Sequence, residues 1–289
     1  TEVDGKAVKS FRFLYHMIPE VIMLNYMQGS PYVVKMFGYS FRNLTITMEK
    51  WEMNLREAMR TYSFDQEQKM EIIRQLCCAL AHFQSRRLIH CDIKPSNILF
   101  RIRDGRIEIC LADLGLSSFD VYGKYSQTAE GYRPLNATDT NGHDMFGLSI
   151  IIIELLTEQS VKKPLSSSKL RKIAQERLSP EMYSVIRKVI PDDLSTSNGA
   201  SYLLKKWFSQ QERFPFEVLS MRENELSPHI TKFVRRECGR ISRDNKINRS
   251  PRCHDCILSF LNSGEYKSTE NLTTDDCLAV IIVFSFVFS

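Results

Sequence analysis

Two runs of alternating residues, ILFRIR (98–103) and RIEICL (106–111), flank the dipeptide Asp104-Gly105. That pattern constrains the chain more than any other. Asp-Gly supplies the two positive-φ residues of a tight turn, so the runs must fold back on each other as a β-hairpin. Just upstream, Ile73, Leu76, Leu80 and Phe83 recur at helical steps, which predicts a core-facing helix ending near Arg86. SFDQ (63–66) has the spacing of a capping box, Ser63 to Gln66, at that helix's start. A buried helix feeding a hairpin implies a mixed α and β fold.

The elements around this core are read the same way. GKAVKSFRF (5–13) alternates like a strand, and PEVIMLNYM (19–27) begins with Pro19 at an expected first helical position. YVVKMFGYSF and NLTITMEKW read as paired strands joined near Arg42-Asn43, and from about Asn54 the pattern turns helical. Further helices are expected over 144–158, 168–188, 200–209 and 215–223. Past Glu223 the chain turns polar and basic, without an internal repeat.

Composition excludes several classes. A chain of 289 residues, 43% hydrophobic and 25% charged, is ordinary globular protein with room for a sizeable core. The formal charge of +5 is mild and its basic residues are scattered, so nucleic-acid binding is not indicated. GLSIIIIELL (147–156) and LAVIIVFSFVFS (278–289) are both shorter than the roughly 20 apolar residues of a membrane-spanning helix. The first reads as a buried helix, the second as a buried strand or an adhesive tail. No signal peptide is visible, and Thr1 is not a methionine, so the sequence is read as continuing upstream. Eight cysteines, with Cys77, Cys78 and Cys110 inside apolar runs, suit free thiols and an intracellular, cytoplasmic or nuclear setting.

The chemistry lies in the loop that joins helix to hairpin, IHCDIKPSN (89–97), and in ADLG (112–115) at the hairpin's end. Asp92 and Asp113 are 21 residues apart in sequence, with Lys94 and Asn97 beside the first. Two carboxylates with an ammonium and an amide suit phosphoryl transfer from a nucleotide. One carboxylate takes the proton of an attacking hydroxyl, the other shares a magnesium ion with the amide oxygen, and the ammonium offsets phosphate charge. The bland reading makes these residues turn formers and caps.

HCDIKPSN resembles the catalytic loop of eukaryotic-type serine/threonine protein kinases, and DLG resembles their metal-binding DFG, in the expected strand–loop order. The resemblance spans roughly residues 5–223. It implies an α+β, two-lobed kinase-like fold, with a small, mainly β lobe carrying one helix, truncated, and a large, mainly helical lobe. Residues 1–50 would be the partial small lobe, 51–223 the large lobe and 224–289 a C-terminal extension. ATP and Mg2+ are the implied cofactors, and a protein hydroxyl the implied acceptor.

Carried over by position, Asp92 is the implied base, Lys94 the γ-phosphate contact, and Asn97 and Asp113 the metal ligands. AVKSF makes Lys9 the nucleotide lysine, and Glu20 its partner on the regulatory helix. Met48 is the implied gatekeeper, with Glu49 and Trp51 offering backbone groups to adenine. TAEGYRP (128–134) resembles the substrate-receiving segment, with Thr128 bridging the base and Lys94. Asp144 would hold the loop backbone, and Arg213 is an implied structural arginine.

Four features depart from the family pattern. No glycine-rich loop precedes Lys9, and Glu20 follows Lys9 by only eleven positions, in the expected first turn of a short helix. Cys91 stands where an arginine pairs with phosphate on the activation segment, so phosphorylation within 116–130 is not expected to be required. Leu135 replaces the acid that would pair Arg213. Two other readings stay open: a pseudokinase binding module, which the first two departures favour, and a small-molecule kinase. CHDC (253–256), with Cys238 and Cys277, has a zinc half-site spacing, but scattered thiols explain it as well.

Overall fold

The computed structural model describes residues 2–3, 5–119, 132, 141–161, 165–190 and 199–209. The chain divides into two units, whose described residues fall within 1–29 and 35–50 for the first, and within 30–34 and 51–220 for the second.

The first unit is a four-stranded antiparallel sheet in the order β1-β2-β4-β3, built from β1 (Glu2–Val3), β2 (Lys6–Ser10), β3 (Met36–Ser40) and β4 (Thr45–Glu49). Its helix α1 (Leu14–Tyr26) packs on β3 and β4. Met17, Ile18, Val21, Ile22, Met23 and Leu24 are all buried, the pattern of a helix enclosed on most of its surface. The β3–β4 pairing joins across residues 41–44, as the sequence predicts. The expected start of α1 is corrected: the helix begins five residues before Pro19, which sits in its interior. Apolar burial on both sides of Pro19 outweighs the one hydrogen bond its ring removes.

In the second unit, β5 (Met53–Asn54), β7 (Ile98–Arg103) and β8 (Arg106–Leu111) form a three-stranded sheet, and β6 (Leu88–Ile89) pairs with β9 (Ser118–Phe119). The Asp104-Gly105 turn forms as predicted, with φ of 50° and 73° and Arg103 facing Arg106. The helices are α2 (Leu55–Thr61), α3 (Gln66–Ser85), α4 (Asn141–Thr157), α5 (Ser167–Arg177), α6 (Pro180–Ile186) and α7 (Ala200–Trp207). Helix α3 is central and packs against β8, α4 and α7. Its Gln75 amide lies along the outer edge of β8, donating to the Ile107 carbonyl (2.7 Å) and accepting from the Ile109 N–H (3.0 Å). Further along, Leu111 exchanges backbone hydrogen bonds with Tyr32 and Val34.

Two local expectations are corrected. The capping box of α3 is Asp65–Gln68, not Ser63–Gln66: Asp65 accepts from the Gln68 N–H at 2.8 Å and Gln68 accepts in return at 3.1 Å. The predicted helix 168–188 is two helices, because Pro180 disfavours helical backbone at the residue before it and Ser179 caps the new start. Cys77, Cys78, Cys91 and Cys110 are buried and stand outside any disulfide. Among the described residues, no helix is long and apolar enough to cross a membrane. The expected helix 215–223, the apolar tail 278–289, and Cys238, Cys253, Cys256 and Cys277 lie outside the described residues.

Candidate active site

The loop after β6 is fixed from below by α4. Asp144 accepts the backbone N–H of His90 at 2.7 Å and of Cys91 at 2.9 Å, as the sequence reading expects of it. Burial pushes the Asp144 carboxyl above its ordinary range, and the neighbouring His90 and two backbone donors pull the other way. One helical turn on, Gly147 meets the loop closely; a Cβ there would lie 2.6 Å from the Ile93 carbonyl oxygen. This grip accompanies a left-handed backbone at Cys91, φ 66°, a conformation that side chains other than glycine seldom adopt.

The loop brings three of the predicted residues together. Asp92 is 5% exposed. Its Oδ2 accepts from Lys94 Nζ and from Asn97 Nδ2, each at 2.7 Å, and Asn97 Nδ2 also donates to the Asp92 carbonyl at 3.0 Å. Asp92 Oδ1 is buried and has no hydrogen-bond partner among the described residues. An ionised oxygen in that position is costly unless something reaches it to share a proton.

Asp113 is held to the same loop through backbone. The Ala112 N–H donates to the Asn97 carbonyl at 2.9 Å, and β7 and β8 pair Ile98 with Leu111 beside it. Asp113 then turns the chain in the left-handed region, φ 62° and ψ 67°, into a short 3-10 turn at Leu114–Leu116. Because Asn97 spends its amide nitrogen on Asp92, its Oδ1 remains as a hard oxygen donor next to the end of β8, two residues before Asp113. An amide oxygen and a carboxylate fit magnesium, which takes one or two protein oxygens and fills its remaining positions with phosphate and water. No cluster of three or more His, Cys, Asp or Glu able to hold a metal occurs among the described residues.

Sequence reasoning assigned no role to His90. Its Nε2 lies 3.1 Å from the Ala112 carbonyl and its Nδ1 3.3 Å from the Asp92 N–H. The second contact makes Nδ1 an acceptor, which assigns the proton to Nε2. One fully buried ring thus ties the residue before Asp113 to Asp92 itself. The available signal was a histidine two residues before the acid, at the end of an apolar strand.

In the first unit, Lys9 Nζ meets both carboxylate oxygens of Glu20, at 2.9 and 2.6 Å. The short-helix expectation is thereby overturned: Glu20 lies in mid-helix, 1% exposed, and is paired despite the eleven-residue spacing. Met48 lies in β4, opposite Ala7 and Met36, and the Glu49 N–H is taken by the Lys35 carbonyl at 2.8 Å. Trp51 belongs to the second unit. Thr128, Leu135 and Arg213 lie outside the described residues. Tyr132 is described: it receives a 3.3 Å hydrogen bond from Arg56 and donates one of 3.3 Å to buried Glu154.

The chain is similar to known kinases over much of its length. A dual specificity tyrosine-phosphorylation-regulated kinase of Caenorhabditis elegans is 34% identical over 142 residues, covering 45% of this chain and 17% of that protein. An Aurora kinase of Dictyostelium discoideum is 28% identical over 56% of this chain and 46% of its own length. A probable serine/threonine-protein kinase of Encephalitozoon cuniculi is 25% identical over 57% of this chain and 31% of its own. The match therefore spans less than half of each of these relatives. The family described as protein kinase domain matches residues 4–235, most of the sequence, and with the site's geometry alongside, this chain belongs to the protein kinase domain family.

Proposed function

We propose that this chain is a serine/threonine protein kinase that transfers the γ-phosphate of ATP to a protein hydroxyl. The observation that carries the reading is the divided carboxylate of Asp92: one oxygen anchored by Lys94 and Asn97, the other buried and bare. In this reading Oδ1 accepts the proton of a serine or threonine hydroxyl as that oxygen bonds to phosphorus and the bond to ADP breaks. Lys94 would offset charge on the moving phosphoryl group while orienting the base. Asn97 Oδ1 and Asp113 would hold Mg2+, whose chemistry is to neutralise phosphate oxygens.

Lys9, oriented by Glu20, would contact the nucleotide phosphates, and that ion pair is one of the two conditions for a competent kinase site. Met48, Glu49 and Trp51 would line the adenine side. Residues 1–50 serve as the partial small lobe, 51–223 as the large lobe and 224–289 as an extension.

The test pairs binding with turnover. Mg-ATP is expected to raise the melting temperature, and EDTA to cancel the shift. Asp92→Asn is expected to lower transfer about 10²–10⁴-fold while leaving the nucleotide-induced shift in place. Transfer by Asp92→Asn at the wild-type rate would remove the base from the scheme. A wild-type chain that shows no nucleotide shift would overturn the kinase reading.

A further inference from the structure

Trp51 stands in the three residues that separate β4 from β5, and the face of its indole meets a charge. The guanidinium carbon of Arg101 is 4.0 Å from the ring centroid. Arg101 is itself fixed: its Nε donates to Glu108 Oε2 at 2.6 Å, and the two residues are direct cross-strand partners on β7 and β8. The indole N–H is buried without an acceptor among the described residues, so stacking rather than a hydrogen bond holds the ring. Two residues later Met53 and Asn54 pair with Phe100 and Leu99, which lays the following backbone along β7. Trp51's own N–H and C=O are bonded to no other described residue.

We infer that Arg101, set by Glu108, is a positioning residue that holds the open backbone groups of Trp51 in the orientation a nucleotide base requires. The inference rests on the reading that this linker receives adenine. A planar guanidinium is the group for the task, because it stacks on an aromatic face while its edge still donates to a carboxylate. A lysine could keep the charge opposite Glu108 but not the flat contact. Preorganising a short linker lowers the ordering cost that a ligand would otherwise bear.

Hydrogen exchange of the free chain and titration with Mg-ATP test this together. In Arg101→Ala, exchange at residues 51–54 is expected to rise about tenfold and the Kd for Mg-ATP about three- to tenfold. Turnover at saturating ATP should stay within about twofold, because the stack acts on binding rather than on the transferred group. Arg101→Lys should follow the alanine variant. If Arg101→Ala does not fold, Glu108→Gln at its half-exposed position supplies the weaker form of the same perturbation. Unchanged exchange would overturn the stack as an anchor. Faster exchange with unchanged Kd would overturn the positioning role alone, and full rescue by Arg101→Lys would replace stacking by simple charge. A wild-type chain that binds no nucleotide, with exchange still raised in the variant, would sink the kinase reading and this role with it.

Discussion

Asp92, Lys94 and Asn97 stand two and three residues apart, a spacing no regular strand or helix would use to bring three polar groups to one point. The loop does so by closing its own hydrogen bonds around one carboxylate oxygen. This much was legible, because the residue types and their intervals are local. The role of His90 was not, since its Nε2 partner is the carbonyl of Ala112, 22 residues away. His82 is a second buried ring with a measurable consequence. Burial, with the like charge of Arg86 adding to it, lowers its pKa from 6.5 to about 4, although it sits in the last turn of α3, where the helix dipole favours a cation. Between those values the unfolded chain binds the proton that the folded chain refuses. The stability from keeping His82 neutral is therefore complete above about pH 6.5 and is lost as pH falls toward 4, by roughly 1–3 kcal/mol. Urea midpoints at pH 7.5 and 5 should diverge in the wild type and nearly coincide in His82→Phe, which keeps a ring against Tyr32.

Among the elements, α1 shows where periodicity and punctuation conflict. Pro19 is a starting signal in the sequence, but Leu14, Tyr15, Met17 and Ile18 continue the apolar pattern upstream, and the helix follows that pattern. Pro19 then costs the hydrogen bond its missing N–H would give Tyr15. Pro19→Ala should restore that bond and raise stability by about 1–2 kcal/mol, less than the full helix-interior penalty because alanine also frees the unfolded chain. A thermal melt that does not move would show that the helix has already adapted to the ring. The α3 cap moved by two residues for a similar reason: Ser63 and Asp65 both have cap chemistry, and only the geometry of the first turn chooses between them. In contrast, the Asp104-Gly105 hairpin was fully legible, because its turn needs positive φ at both positions and the sequence offers residues that tolerate it.

For the whole chain, the regulatory expectation turns on Cys91. It is 3% exposed, its N–H is held by Asp144, and it offers no cation to a phosphorylated segment. Phosphatase treatment is accordingly expected to leave transfer within about twofold of its untreated rate; a collapse of activity would contradict it. The pairing of Lys9 with Glu20 was legible through the resemblance, whereas the position of Glu20 in mid-helix was not, because the upstream start of α1 and not the residue spacing decides where the acid points. The grip of Gln75 on the edge of β8 has a further consequence. With Ile107, Ile109, Leu111 and Ala112 all tethered, the strand behaves as a clamped beam whose only pivot is its last joint. Any swing of the Asp113 carboxylate is therefore expected as a torsion at that residue rather than as a shift of the hairpin behind it.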